Sequence, residues 1–302
     1  MNRSQIIFSL RKEIWEFRKT LFWVPLIIAS LIIAAPFINL LLLDESPFTK
    51  LTENLAQFEE LPNVQGFGRF FLASIMGMFV PFIMVSLLIQ LYYFTTCLFD
   101  ERRDLSIYFW RSLPVSDALS LTTKLVTGAL VVPAIFMMAA TLVVVVYLLF
   151  ALIFCIVMSV GYDVSIWGLW GSANIFSNIA SVWLNLLPYA VWMFPVFAWL
   201  MLASMFANKA PVLWAILPVV AILLLESFFV EYLHLDGRFF ASMLQDYFAF
   251  TQDLIPNDVS DIDSPKMFVF STLSSKISLI ATLIGAGLMY VTYWLRVNRS
   301  HG

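Results

Sequence analysis

The sequence predicts an all-α polytopic membrane protein that crosses the bilayer six times. Of the 302 residues, 61% are hydrophobic and only 12% are charged, and the mean hydropathy is +0.89. Soluble globular chains carry about 25% charged residues. Six long stretches of the chain contain no charged residue at all. Because about 20 apolar residues cross about 30 Å of hydrocarbon, these stretches predict six membrane-spanning helices.

The predicted spans follow from where the charge-free stretches begin and end. The stretches that start at Leu125 and Val164 are longer than one crossing, so each span is placed inside its stretch. Residues 159–177 are left as an interfacial connection, because Gly and Trp residues recur there. No repeat divides the chain, and residues 1–302 are expected to form a single domain. The six predicted spans are residues 20–43, 70–99, 126–155, 179–206, 211–231 and 277–295.

Lysine and arginine residues predict the orientation of the chain, because positively charged loops stay on the cytoplasmic side of a membrane. With the amino terminus inside, 12 of the 17 Lys and Arg residues fall on the cytoplasmic side, and 14 of the 20 acidic residues fall outside. An even number of spans returns the carboxyl terminus to the cytoplasm. We therefore expect a multi-pass protein of the bacterial cytoplasmic (inner) membrane, with both termini cytoplasmic.

Three shorter segments predict amphipathic helices outside the spans. Residues 4–19 have apolar side chains at helical spacing on one side and mostly basic ones on the other, which is typical of a helix lying flat in the inner membrane interface. A soluble helix that docks on a partner is the alternative. Apolar stripes also run through residues 48–61 and 239–248 and predict short helices that lie on or dip into the outer leaflet.

Motifs for ATP binding and catalytic metal binding do not occur in the sequence. There is no Gly-x-x-x-x-Gly-Lys-Ser/Thr loop to bind phosphates, so any ATP must be bound by another chain. The two histidines, His234 and His301, have no second histidine four residues away, as a helical zinc site requires. Asp258, Asp261 and Asp263 lack the glycine and the distal glutamate of a calcium loop, which favours a solvated acidic turn. We expect no catalytic residue, metal or cofactor in this chain, and no nucleic-acid partner.

Glu226 is an ionisable residue inside the fifth predicted span. At about 1.5 Å per residue from Pro211, it lies about three-quarters of the way across the hydrocarbon. An uncompensated charge there costs at least a few kcal/mol. Two interpretations follow: Glu226 lines a substrate path, or it is protonated, reaches outward or pairs structurally. The second is favoured.

Residues 100–124 join the second and third spans on the cytoplasmic side and combine charged with aromatic residues. A loop that only fixes topology has no need of large apolar side chains, which are costly in water and typical of interface anchors. The segment therefore predicts a docking surface for another protein. Its candidate contact residues are Glu101, Arg102, Arg103, Ser106, Ile107, Tyr108, Phe109, Trp110, Arg111, Leu113 and Pro114.

This segment and the layout of the chain resemble the ABC-2 type transporter permeases, the membrane subunits of ABC exporters. The motif residues are Glu101-Arg102, Ser106-Ile107 and the Ser112–Ser116 turn that leads to Lys124. The resemblance implies that residues 106–113 form a coupling helix, which seats in a groove of a separate ATP-binding subunit. It also implies that the charged residues at the start of the segment flank this contact with charge pairs.

The resemblance further implies partners and a function. The expected partners are two ATPase subunits, which bind ATP and Mg²⁺, a second permease subunit in a homodimer, and membrane lipid. ATP-driven closure would tilt spans two and three and export a hydrophobic or amphipathic substrate by alternating access. Two other classes stay open. An integral membrane enzyme acting on lipids would have to use His234, Asp236 and Glu231, and an ion-coupled secondary carrier usually shows several midplane charges.

Overall fold

The computed structural model describes residues 3–42, 64–104, 116–161, 170, 175–233, 238–249, 273–274 and 276–298, and within these ranges it contains helices and no strand. Six helical stretches are long and apolar enough to cross a membrane. The predicted fold class is therefore confirmed: the chain is an all-α polytopic membrane protein. The six stretches are Arg18–Ile38, Phe71–Arg103, Asp117–Gly161, Ile175–Phe206, Pro211–Tyr232 and Leu279–Asn298.

Several of these stretches are built from more than one helix. A one-residue turn at Phe17 precedes the first stretch. One-residue turns at Met78 and Asn185 interrupt the second and the fourth. The third contains a π-helical turn. The helices are α1 (Arg3–Glu16), α2 (Arg18–Leu42), α3 (Val64–Gly77), α4 (Phe79–Arg103), α5 (Asp117–Val126), the π turn (Thr127–Val131), α6 (Val132–Gly161), α7 (Ile175–Leu184), α8 (Leu186–Phe206), α9 (Pro211–Leu233), α10 (Phe239–Phe248) and α11 (Leu279–Asn298).

The third span begins nine residues earlier than residue 126, inside the segment that the sequence assigns to the cytoplasm. Ser116 starts α5: its Oγ accepts a hydrogen bond from the backbone N–H of Leu119 at 3.3 Å. A serine at this position satisfies one of the free N–H groups of a first helical turn. The helix therefore includes Lys124, whereas a span boundary placed at the nearest charged residue excludes it. It also continues to Gly161, into the predicted interfacial connection.

The amphipathic segments are partly described. α10 confirms the helix predicted for residues 239–248, whereas residues 48–61 lie outside the described part of the chain. The helix predicted for residues 4–19 ends at Glu16, and α2 starts directly after Phe17. That α1 lies in the inner membrane interface stays a prediction.

The fourth span is the central helix of the bundle. In its most apolar window 44% of the residues are buried, against 11% in the first span and 6% in the fifth. It contacts the second, fifth and sixth spans, and the second span in turn contacts the third. Phe94 of α4 stacks on Phe197 of α8 with ring centroids 4.4 Å apart. Gly285 of α11 permits close packing on α8, because a Cβ there would lie 2.8 Å from the Phe194 ring.

Candidate functional site

Most of the residues that the sequence offers as docking contacts lie outside the described part of the chain. The structure describes both ends of this segment instead: α4 ends at Arg103 and α5 begins at Asp117. How these ends are held determines how a force on the segment would reach the bundle. The residues outside the described ranges are Ser106, Ile107, Tyr108, Phe109, Trp110, Arg111, Leu113 and Pro114.

Six ionised side chains meet where the segment joins the bundle, and we call them the charge cluster. The Nζ atom of Lys124 lies 3.1 Å from both carboxylate oxygens of Glu13 and 3.1 Å from Oε1 of Glu101. The Arg296 guanidinium lies 3.0 Å from Oε2 of Glu101 and 2.9 Å from Oδ1 of Asp117. The members of the charge cluster are Lys12, Glu13, Glu101, Asp117, Lys124 and Arg296.

The centre of the charge cluster is buried. Glu13, Glu101, Lys124 and Arg296 are each at most 3% exposed, and buried charges persist only where they are paired and hydrogen-bonded. The three carboxylates and three cations of the cluster balance in formal charge. The hydroxyl of Tyr93 also donates a hydrogen bond to Glu13 at 3.1 Å. Removal of any of these four buried members would leave an unbalanced charge in a low-dielectric site.

The charge cluster joins four elements that are far apart in the sequence. Glu13 belongs to α1, Glu101 to α4, Lys124 to α5 and Arg296 to α11. Glu101 and Lys124 pair across the base of the 105–115 segment, and Arg296 contacts residues on both sides of it. The second, third and sixth spans and α1 are therefore fixed to one another at this end of the bundle.

Arg102 connects the fourth span to the same place. Its Nη2 donates hydrogen bonds to the carbonyl oxygens of Ser204 at 2.7 Å and Ala207 at 2.8 Å, at the end of α8 where backbone carbonyls lack helical partners. The Ser204 Oγ accepts from the N–H groups of Leu98 and Phe99. Such small polar residues let helices approach closely in membranes.

The three charged residues at the start of the segment thus occupy different environments. Glu101 is buried in the charge cluster and Arg102 contacts the end of α8, whereas Arg103 is exposed and pairs with Asp100 and Asp104. Contacts of these residues with a partner protein stay a prediction. The structure places Arg103 where such a contact needs no rearrangement of the bundle.

Glu16 lies at the edge of the charge cluster on α1. Its Oε2 is 3.9 Å from Nζ of Lys12, and the side chain is about half exposed. Partial burial, together with the nearby negative charge of Glu13, raises the pKa of the Glu16 carboxyl above its ordinary value. The Glu16 carboxyl therefore binds a proton more readily than a free glutamate does.

Glu226 has partners in the backbone of a neighbouring helix. Its carboxylate accepts hydrogen bonds from the N–H groups of Phe240 and Ala241, the latter at 2.8 Å. These amides belong to the first turn of α10, which lacks helical acceptors and favours a negative charge. Glu231, five residues further along α9, is exposed. The contacts agree with a structural role for Glu226, and a place on a substrate path stays a prediction.

The charge cluster was not predicted from the sequence, in which Glu101 is a candidate docking contact and Lys124 closes the motif of the 100–124 segment. One signal was available. Glu13 stands three residues after Leu10 and four before Phe17, so it lies on the apolar stripe of α1 and not on its basic side. A carboxylate on an otherwise apolar face predicts a buried cation as partner. The sequence does not say which cation this is.

Groups of residues that could hold a metal are absent from the ranges that the structure describes. Cys97 and Cys155 are both buried free thiols. His234, Asp236, His301 and the aspartates at positions 258, 261 and 263 lie outside the described ranges. The expectation of no metal and no catalytic residue therefore stays a prediction.

Comparison with protein-family models, with curated proteins and with solved structures finds no match to this chain.

Proposed function

We propose that this chain is the permease subunit of an ATP-binding cassette exporter, in which a separate ATPase subunit drives alternating access. The observation that supports the proposal is the charge cluster at the base of the 105–115 segment. Both ends of the segment enter the bundle next to buried ion pairs. A segment that a partner protein displaces needs such a base, because a flexible base would not transmit the displacement to the helices.

The pairs at the base favour movement of several helices together. Glu101 at the end of α4 pairs with Lys124 on α5, and Arg296 of α11 contacts both Glu101 and Asp117. A displacement of the segment would move the second and third spans as one body, and would carry the sixth span and α1 with them. Rigid-body tilting of this kind is a common way to switch a membrane cavity between two openings.

The partners in this proposal are two ATPase subunits, which bind ATP and Mg²⁺, and a second copy of this chain in the bacterial inner membrane. The aromatic residues Tyr108, Phe109 and Trp110 would enter a groove of the ATPase, and Arg103 would add a charge contact at the rim. The cargo would be hydrophobic or amphipathic, since the bundle offers mainly apolar side chains. No reaction is proposed for this chain itself.

The test is to purify the chain together with the products of its neighbouring genes, to measure ATP hydrolysis, and to replace Trp110 with Ala. We expect the variant to insert in the membrane normally but to lose stimulation of ATP hydrolysis. Trp214→Ala is the matched control, because Trp214 is half exposed on the fifth span and far in sequence from the segment. Unchanged stimulation and unchanged co-purification of Trp110→Ala would remove the docking role.

A further inference from the structure

A cavity lies between the second, third and fourth spans. It has a volume of about 40 Å³, and about 16 Å of helix separate its residue Gln90 from Glu101 of the charge cluster. The walls are mostly apolar, with Ile83, Phe136 and Met137 among them. The cavity is large enough for a hydroxyl group and the carbon atom that carries it, and the rest of such a molecule would extend beyond it. The polar side chains that line the cavity are Ser86, Gln90, Asn185 and Tyr189.

Ser86 lines this cavity with an unsatisfied hydroxyl. The residue is 3% exposed, and among the described residues its Oγ has no hydrogen-bond partner. Among the described residues Thr127 is the one other buried hydroxyl without a partner, whereas Thr95, Thr141 and Thr292 each donate to a backbone carbonyl in the preceding turn. A buried hydroxyl without a partner is unfavourable. Ser86 can therefore both donate to and accept from a group that enters the cavity.

Gln90 and Tyr189 hold the rest of the polar wall in place. The Gln90 Nε2 donates to the carbonyl oxygen of Gly128 in the π turn at 2.8 Å, and its Oε1 accepts from the hydroxyl of Tyr189 at 2.7 Å. The Tyr189 proton is thus engaged, and its oxygen is left with acceptor capacity. π turns occur frequently at functional sites. In this arrangement the Ser86 hydroxyl can donate, and the oxygens of Ser86 and Tyr189 can accept.

We propose that this cavity binds the uncharged hydroxyl headgroup of an amphipathic molecule, with Ser86 and Tyr189 as its hydrogen-bonding residues. An uncharged group fits because none of the described residues that line the cavity is Asp, Glu, Lys or Arg, and a buried charge without a partner is strongly disfavoured. A hydroxyl group fits because it can donate its proton to the Tyr189 oxygen while its own oxygen accepts a hydrogen bond from Ser86. The apolar walls suit the carbon atoms next to the headgroup.

The site lies within one chain, so its test needs neither the ATPase nor transport and stands apart from the proposed function. The probe is a long-chain alcohol that carries a photoreactive diazirine near the hydroxyl, added to the purified full chain in lipid nanodiscs. A fatty acid and an alkylamine of the same length and with the same diazirine serve as charged comparators. Labelled peptides are identified by mass spectrometry.

We expect the alcohol to label the peptide that contains Phe136 and Met137, and the two charged probes to leave it largely unlabelled. Ser86→Ala should weaken binding of the alcohol about two- to tenfold, as expected for one neutral hydrogen bond. Ser30→Ala is the control, because Ser30 is exposed on α2 and donates to its own helix at Ile27. It should leave the labelling unchanged.

Ser86→Leu should abolish the labelling by filling the cavity, provided that it elutes as wild type in size-exclusion chromatography. Ser86→Ala alone decides the question if the larger side chain prevents folding. Equal labelling of wild type and Ser86→Ala, or equal labelling by the three probes, would mean that the probes only partition into the bilayer. Either result would overturn the proposal.

Discussion

Replacing Lys124 with Met tests whether the charge cluster stabilises the base of the 105–115 segment. Methionine keeps the length of the side chain but removes the ammonium group that lies 3.1 Å from Glu13 and Glu101. The cluster would then keep three carboxylates but only two cations. Loss of one partner of a buried ion pair costs about 3–5 kcal/mol, because the remaining charge stays buried. At about 2 °C per kcal/mol for a domain of this size, Tm should fall by about 6–10 °C.

The assay is thermal unfolding in detergent, with maleimide labelling of Cys97 as a local readout. Cys97 is a free thiol, 3% exposed and located in α4 one turn before Glu101. In a Cys155→Ser background it is the single thiol of the chain, since the sequence has two cysteines. We expect slow labelling of the wild type and faster labelling of Lys124→Met at the same temperature, because α4 and α5 separate more readily.

Two further variants test whether loss of the ammonium group causes the destabilisation of Lys124→Met. Lys209→Met removes a lysine that is exposed at the turn after α8, and it should change the free energy of unfolding by no more than about 0.5 kcal/mol. The double variant Glu13→Gln, Lys124→Met removes a carboxylate together with the ammonium and should regain part of the lost stability. If Lys124→Met had the same Tm as Lys209→Met, and the double variant were no more stable than Lys124→Met, the charge cluster would not stabilise the base of the 105–115 segment.

Two more perturbations have matched controls on the same helix. Gly285→Ala would place a methyl group 2.8 Å from the Phe194 ring and should cost about 1–3 kcal/mol in thermal unfolding. Gly287→Ala meets no atom within 4 Å and should be neutral or stabilising by up to about 1 kcal/mol; equal effects would contradict the packing. Glu226→Ala removes the acceptor for the first turn of α10 and should speed amide exchange there about two- to thirtyfold, whereas Glu231→Ala should not. Unchanged exchange with a loss of transport would instead favour the substrate path for Glu226.

The number of spans could be predicted from the sequence because one quantity, the thickness of the hydrocarbon, sets the length of an apolar run. The helix ends could not. Ser116 extends the third span by its capping hydrogen bond, and Lys124 stays inside the helix because it is neutralised by Glu13 and Glu101. A rule that ends a span at the nearest charge cannot anticipate a charge that is buried.

The candidate site was predictable only in part, and for a related reason. The sequence marks the 100–124 segment by its own composition, but the ion pairs of the charge cluster join residues that are up to 195 positions apart, as Glu101 and Arg296 are. Such partners are selected by packing and leave no local pattern. The cavity was not predicted because Ser86 and Gln90 are uncharged. Neutral polar residues lie inside a charge-free run without interrupting it.

The π turn in the third span has a mechanical consequence. The continuous helix from Asp117 to Gly161 has 45 residues and is therefore about 68 Å long, more than twice the hydrocarbon thickness. The π turn divides this helix into two regular α-helical parts and sets how far one part is rotated about the helix axis relative to the other. If this helix were wound regularly throughout, the 12 positions from Lys124 to Phe136 would place these two side chains about 120° apart around its axis. The wider π turn takes up one of these positions, so Lys124 and Phe136 both face the interior.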